Sequence, residues 1–299
     1  MRIGVDLGGT KIEIAALDAD GRMVLRERRA SPVADYDATV RAVRDGVLKA
    51  EAELGEGCSV GLGIPGTISP ATGLVKNANS TWLNGKPFDV DIAEALARPI
   101  RMANDANCFA LSEAVDGAGR NKRVVFGVIL GTGVGGGVAV DARILTGPNA
   151  VAGEWGHNPL PWPAADETTG PACFCGKRGC IETWLSGPGL AADFARASGR
   201  KLSAPEIATV AAAGDADAEA ALLRYETRLA KALGHLVNVL DPDIIVLGGG
   251  LSNLDRLYTN VSPKIAEFAF SDTIATPIMR NRWGDSSGVR GAAWLWPDP

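Results

Sequence analysis

The chain has 299 residues, of which 46% are hydrophobic and 22% charged, so its composition is that of a folded globular protein and excludes a mainly disordered one. Thirty Lys and Arg against 35 Asp and Glu give a net charge of −5, and we expect no cationic surface for nucleic acid or anionic lipid. No apolar stretch is long and unbroken enough for a membrane helix, and the amino terminus lacks a signal-peptide pattern, which together predict a cytoplasmic protein without membrane partners.

Residues 2–26 have the pattern of a three-stranded meander. Two strands rich in β-branched residues are joined through the turn of residues 8–10, and the second strand ends at a turn of residues 18–21. Asp6 and Lys11 flank the first turn. An acid, two glycines, a hydroxyl and an ammonium can together approach a triphosphate and its magnesium, although a tight hairpin needs none of this chemistry.

Residues 124–146 repeat this unit, with seven identical residues at an offset of 123 positions. A second echo pairs the strand-and-glycine segment of residues 61–66 with that of residues 244–250. Each segment follows a predicted helix, at residues 36–54 and 216–240 respectively. The repeat predicts two α/β domains with mixed sheets and a cleft between them.

The hydrophobic pattern is interrupted at residues 117–122, where we place the division between the domains. The first predicted domain spans residues 1–118 and is completed by a carboxy-terminal helix of residues 288–299. The second spans residues 119–287 and carries a metal-binding insertion.

Two segments match the GxGxxG dinucleotide pattern as strings, at residues 61–66 and 131–136. In a dinucleotide fold the third glycine opens a helix, whereas here turn or strand residues follow each match. A Walker loop also fails, because residues 9–11 read Gly-Thr-Lys where Gly-Lys-Ser or Gly-Lys-Thr is required. Both alternatives are rejected, and the duplicated glycine loops favour ATP.

Asp105 follows a short extended segment of residues 99–102 and precedes a predicted helix. At that place an aspartate can simply be a helix N-cap. A carboxylate in a loop between two domains can instead accept the proton of a hydroxyl that attacks a phosphoryl group. The residue types alone leave both interpretations open.

Three of the five cysteines lie within eight residues, at Cys173, Cys175 and Cys180, and His157 lies sixteen positions upstream of the first. Three thiolates and one imidazole are a donor set for tetrahedral zinc. The alternative is free buried cysteines without a metal. Cys58 and Cys108 have no such neighbours and are predicted to be small buried apolar residues.

Four sequence motifs resemble those of the ROK family of sugar kinases and repressors. They lie at residues 6–11, 130–137, 153–157 and 173–182. The resemblance covers essentially the whole chain and implies a duplicated actin-like, ribonuclease-H-like ATPase fold. It also implies ATP and Mg²⁺ as cofactors of phosphoryl transfer, with Zn²⁺ bound in the cysteine motif.

The resemblance implies a role for individual residues. Asp105 takes the position of the general base, and the glycines after residue 247 lie beside the adenosine. Expected sugar-binding residues are Asn79, Asn104, Glu154, His157 and Glu182. Expected ATP-binding residues are Asp6, Gly8, Gly9, Thr10, Lys11, Gly131, Thr132, Gly133, Gly248 and Gly249. Expected zinc ligands are His157, Cys173, Cys175 and Cys180.

Residues 77–84 and 154–162 are most similar to the bacterial fructokinase members, also called mannofructokinases, and the N-acetylglucosamine kinases differ there. The resemblance therefore implies conversion of D-fructose to fructose 6-phosphate, with an N-acetylglucosamine or glucose kinase as the alternative. A ROK repressor is disfavoured, because the first phosphate-loop strand begins at residue 2 with no helix-turn-helix ahead of it. Trp82 and Trp155 can stack on a sugar or pack in the interior, and a homodimer is left open.

Overall fold

The structure is a computed structural model that describes residues 1–296. The strands are β1 (Arg2–Leu7), β2 (Lys11–Leu17), β3 (Met23–Ala30), β4 (Ser59–Ile64), β5 (Thr67–Ile68), β6 (Val75–Lys76), β7 (Arg101–Asn104), β8 (Val124–Leu130), β9 (Val134–Val140), β10 (Arg143–Ile144), β11 (Ile244–Gly248) and β12 (Ile278–Arg280). The α-helices are α1 (Tyr36–Leu54), α2 (Phe88–Ala95), α3 (Asp105–Val115), α4 (Glu182–Leu185), α5 (Gly187–Ser198), α6 (Ala204–Ala212), α7 (Ala216–Leu240), α8 (Arg256–Ile265) and α9 (Ser287–Ala293).

The first sheet has the strand order β3-β2-β1-β4-β7. Strands β1 to β3 form the predicted antiparallel meander, whereas β4 lies parallel to β1 and β7 parallel to β4. The inner strands read as nearly continuous apolar runs, as expected for strands covered on both faces. The sheet is therefore mixed, as the sequence predicted.

The second sheet repeats this arrangement, with the order β10-β9-β8-β11-β12. Strand β11 lies parallel to both β8 and β12, and β10 lies antiparallel to β9. The position of each strand matches that of its counterpart in the first sheet. The predicted α/β fold with a duplicated mixed sheet is thus confirmed.

Local sequence signals account for the ends of the two long helices. Helix α1 begins after Asp35, whose side chain accepts a hydrogen bond from the Ala38 N–H at 2.8 Å, and it ends at Gly55 in the left-handed conformation. Helix α7 begins in the same way after Asp215, whose carboxylate accepts from the Ala218 N–H. Both helices occupy the predicted ranges.

The chain forms two compact units. Among the described residues, the first comprises residues 1–121, 137–152 and 282–296, and the second comprises residues 122–136 and 153–281. Of the helix expected at residues 288–299, residues 287–293 form α9, and residues 297–299 lie outside the described part.

Helix α9 packs directly on the first sheet, because glycines replace side chains at the contact. A Cβ at Gly4 of β1 would lie 1.9 Å from the Val289 carbonyl oxygen, and one at Gly61 of β4 would lie 1.9 Å from that of Ala292. Neither contact leaves room for a larger residue. The third glycine of the first GxGxxG-like segment is followed by β5, and that of the second lies within β9. Neither glycine opens a helix, in agreement with rejection of a dinucleotide fold.

Within residues 1–296, no helix is both long and apolar enough to traverse a bilayer.

Candidate active site

The predicted site residues fall into two groups, one in each compact unit. In the first unit, the loop of residues 8–10 joins β1 to β2 and is closed by a hydrogen bond from the Gly8 N–H to the Lys11 carbonyl at 2.9 Å. Gly9, Thr10 and Lys11 are exposed. Their backbone and side-chain donors are therefore accessible to a ligand.

Asp6 lies at the end of β1, directly before this loop. Desolvation raises its pKa to about 7, and the neighbouring carboxylates of Asp105 and Glu13 add to the effect. A carboxyl group in this position is easily converted to its charged form by a nearby cation. A side chain at Gly288 would meet the Asp6 carboxylate, since a Cβ there would lie 3.0 Å from Oδ2.

The segment of residues 77–84 reaches the same loop. The Asn84 side chain folds the segment by accepting from the Ala78 N–H and donating to the Ala78 carbonyl, both at 2.9 Å. Ser80 is buried, and its hydroxyl lies 3.5 Å from where a Cβ at Gly9 would be. Asn79 is exposed beside it.

Asn104 and Asp105 stand at the junction of β7 and α3. The N-cap is Asn104, whose Oδ1 accepts from the Ala106 N–H at 2.9 Å and from the Asn107 N–H at 3.3 Å. The N-cap interpretation of Asp105 is therefore wrong, because Asp105 is the first residue of the helix. The Asn104 Nδ2 donates to the Gly66 carbonyl at 3.1 Å, so this amide is already engaged on both sides.

In the second unit, the loop of residues 131–133 is held from two sides. The Gly131 carbonyl accepts from the Gly187 N–H at 2.8 Å, and the Glu182 Oε2 accepts from the Val134 N–H at 3.0 Å. A Cβ at Gly133 would lie only 2.6 Å from that carboxylate oxygen. Glu182, predicted to bind sugar, thus lies against the glycine loop.

Gly249 belongs to the same neighbourhood. Its φ of 79° is favourable only for glycine, and a Cβ there would lie 2.5 Å from the Leu130 carbonyl oxygen. Leu130 ends β8 directly before the loop of residues 131–133. The structure therefore brings together two glycine segments that are more than a hundred positions apart in sequence.

His157, Cys173, Cys175 and Cys180 form one cluster, in which the potential ligand atoms all lie within 4.8 Å of one another. The Cys175 and Cys180 sulfurs are 3.6 Å apart, as are the Cys173 sulfur and the His157 Nδ1. Ligands about 2.3 Å from a tetrahedral ion are about 3.8 Å from one another. The donor set and its spacing fit such an ion.

Glu154 directly precedes the short 3₁₀ helix Trp155–His157 that leads into this cluster, and it is half-buried. Trp155 is buried, donates to the Gly135 carbonyl at 3.0 Å and packs edge-to-face on Phe126. Its role is therefore packing. Trp82 donates from Nε1 to the Thr39 hydroxyl at 3.1 Å and is partly buried against the core of the first unit.

Sequence reasoning missed Ser80 and Asn107. Ser80 was part of a recognised segment, but nothing in its type indicated a buried hydroxyl beside Gly9. Asn107 lies three residues after the N-cap, and that spacing places it on the Asn104 side of the helix. This periodicity is the signal that would have identified it.

Comparison with known proteins gives one consistent family. The protein-family model described as "ROK family" matches residues 2–299 of this chain. The chain is 40% identical over 299 residues to the N-acetyl-D-glucosamine kinase of Salmonella heidelberg (strain SL476), covering 99% of each chain.

Two solved structures that are similar to this chain are also named as ROK proteins. A ROK hexokinase from Thermus thermophilus superposes with a TM-score of 0.87 at 31% identity, covering 98% of this chain and 97% of that one. A ROK family glucokinase from Streptomyces griseus, solved in complex with glucose and AMPPNP, gives a TM-score of 0.79 at 25% identity and 98% coverage of both chains.

Proposed function

The chain belongs to the ROK family, and we propose that it is an ATP-dependent kinase that phosphorylates a hydroxyl of a hexose. The observation that carries this proposal is the 40% identity, over essentially the full length, to a relative named as a sugar kinase. The two glycine loops, which are suited to binding phosphate groups, and the acidic residue at the start of α3, which can accept a proton, also support it.

Asp105 is the proposed general base. Phosphoryl transfer needs a hydroxyl aligned with the γ-phosphoryl group and an acceptor for the hydroxyl proton. The Asn104 cap anchors the first turn of α3 and joins it to the Gly66 carbonyl, so the backbone that carries Asp105 is held at two points. In this proposal the Asp105 carboxylate takes the hydroxyl proton as the new oxygen–phosphorus bond forms and the bond between the γ-phosphorus and its bridging oxygen breaks, releasing ADP.

The glycine loops are the proposed nucleotide-binding elements. Backbone N–H groups without neighbouring side chains can approach phosphate oxygens closely, and the Lys11 ammonium adds positive charge. Bound Mg²⁺ would neutralise developing charge on the phosphates, with Asp6 as the carboxylate available in the first unit. The proposed nucleotide-binding residues are Asp6, Gly8, Gly9, Thr10, Lys11, Gly131, Thr132, Gly133, Gly248 and Gly249.

The identity of the hexose that is phosphorylated is a separate question. Sequence analysis predicted fructose, whereas relatives that are 40% identical to this chain are named N-acetyl-D-glucosamine kinases, so the alternative is better supported. We therefore propose N-acetyl-D-glucosamine as the first candidate. Fructose remains the second candidate, because residues 77–84 and 154–162 resemble the fructokinases. The proposed sugar-binding residues are Asn79, Asn104, Glu154, His157 and Glu182.

Zinc is the proposed occupant of the cysteine cluster, held by His157, Cys173, Cys175 and Cys180. Such an ion supplies rigid tetrahedral cross-linking and fixes the tautomer of a bound imidazole. The cross-link would tie His157 to the segment that carries Glu182, only two residues after Cys180. Both side chains would then hold a defined orientation.

A coupled ADP-release assay tests the substrate. Specificity constants are measured for N-acetylglucosamine, fructose, mannose and glucose at fixed ATP and Mg²⁺. We expect N-acetylglucosamine to rank first. Fructose ranking first would overturn the substrate assignment and leave the kinase proposal intact, whereas no turnover with any hexose would contradict both.

A further inference from the structure

The first unit contains a cavity of about 180 Å³ beside the start of α3. This volume is smaller than the roughly 300 to 1,000 Å³ of pockets that enclose whole ligands. The cavity can therefore take part of a sugar but not a nucleotide. Its walls include the apolar side chains of Ile68, Met102 and Ala150 and the polar ones of Asn104, Asn107 and Thr146.

The two side-chain amides in this wall, those of Asn104 and Asn107, differ in their hydrogen bonding. Both ends of the Asn104 side chain make hydrogen bonds within the protein. Asn107 is only 9% exposed, and its Oδ1 has no hydrogen-bond partner within residues 1–296. A buried amide oxygen costs free energy unless a donor reaches it. Asn107 thus lines the cavity and carries one unused acceptor.

The surroundings define the group that fits. The acceptor at Asn107 requires an O–H or N–H donor, and the apolar walls favour a substituent with an apolar side. The Thr146 hydroxyl can donate to a carbonyl oxygen in the same space. An acetamido group has all three features, whereas a ring hydroxyl offers a donor and an acceptor oxygen but no apolar side.

We propose that Asn107 is a specificity-determining residue that contacts the hexose, its Oδ1 accepting a hydrogen bond from a donor substituent held in this cavity. The proposal rests on the proposed function, because it takes the hexose as the ligand. It adds a residue that none of the sequence motifs assigned to sugar binding.

The experiment compares Asn107→Leu, which has a similar volume without the acceptor, with Asn107→Asp, which keeps an acceptor oxygen in place. Hexose binding is measured by calorimetry without nucleotide, and KM is measured for hexose and for ATP. We expect Asn107→Leu to weaken hexose binding and raise its KM roughly tenfold or more, with KM for ATP within about twofold of wild type. Asn107→Asp should stay within about threefold of wild type for the hexose.

A substrate series identifies the donor. N-acetylglucosamine and 2-deoxyglucose differ in the acetamido group, so their ratio of kcat/KM should fall in Asn107→Leu if the acetamido N–H is the donor. An unchanged ratio, with hexose KM still raised, assigns the contact to a ring hydroxyl and supports the same role for Asn107.

Unchanged hexose binding and KM in folded Asn107→Leu would overturn the proposal. If Asn107→Leu does not fold, Asn107→Ser serves as the second acceptor-displacing variant and is judged by the same criterion. Failure of the proposed function is seen separately, as a wild-type protein that turns over no hexose.

Discussion

The buried carboxylate of Glu113 accepts a hydrogen bond from the Ser287 hydroxyl at 2.8 Å, joining residues 174 positions apart in the chain. The same carboxylate accepts from the Ala118 N–H at 2.8 Å and the Arg282 N–H at 3.1 Å. One side chain of α3, the helix that begins at Asp105, thus contacts α9, the segment that follows α3 and the segment that precedes α9.

Glu113→Ala is expected to lower the free energy of unfolding by about 3 kcal/mol or more, because it leaves the buried Ser287 hydroxyl and two backbone N–H groups without their acceptor. Denaturant unfolding of the purified protein measures the loss. Glu113→Gln should be milder, since it keeps one acceptor oxygen. The exposed Glu53 on α1 provides the control, because Glu53→Ala should change stability little. A Glu113→Ala protein as stable as the control would contradict this role.

Asp105→Asn is expected to reduce kcat roughly a hundredfold or more, since the amide cannot accept the hydroxyl proton. Asn104 caps the helix, and an asparagine at position 105 keeps a side-chain oxygen that can accept from the Ala106 N–H, so the melting temperature should change little. Steady-state kinetics and thermal unfolding on the same preparation check both statements. Near-wild-type turnover would remove Asp105 from the mechanism.

The raised pKa of Asp6 predicts a pH dependence of stability. The native state holds a proton on this carboxyl up to about pH 7, whereas the unfolded chain releases it near pH 4. The free energy of unfolding should therefore fall as the pH rises from about 4 to 7, by at most about 1.4 kcal/mol per pH unit from this group. Above pH 7 its contribution is constant.

Asp6→Asn should remove that slope. Denaturant unfolding of wild type and variant across pH 4 to 8 measures the difference, in which the contributions of groups that do not interact with Asp6 cancel. Parallel curves for the two proteins would show that Asp6 does not titrate in this range.

Protein purified without chelators is expected to contain about one zinc per chain, and chelation should lower activity because His157 and the segment carrying Glu182 lose their cross-link. Elemental analysis and activity are measured together. Cys175→Ser should lose the metal, and Cys58→Ser, at a cysteine outside the cluster, should keep it. Fully active protein without zinc would refute the assignment.

Much of the fold could be predicted because its signals are local. The glycine turn after Leu7, the helices from Tyr36 and Ala216 and their aspartate caps all follow from short patterns of residue type. The sequence repeat likewise predicted two α/β domains with mixed sheets, and the two sheets have corresponding strand orders because duplicated patterns fold alike.

The remaining features depend on contacts between distant residues. Nothing near Glu182 indicates that its carboxylate accepts from Val134, 48 positions away. In the sequence, Glu113 resembles any other glutamate within a helix, because its partner Ser287 lies in α9, 174 positions away. The sequence offered Asp105 as an N-cap, but asparagine and aspartate are both good caps, and only the backbone conformation shows that Asn104 takes this position.

The most direct test of the account is transfer of the γ-phosphoryl group itself. ATP labelled in the γ position is incubated with Mg²⁺ and a hexose from the panel, using wild type and Asp105→Asn, and the label is followed by chromatography. The account predicts label in a hexose phosphate, with ADP formed in equal amount, for wild type and almost none for the variant. Label that stays in ATP or appears only as inorganic phosphate with every hexose would contradict it.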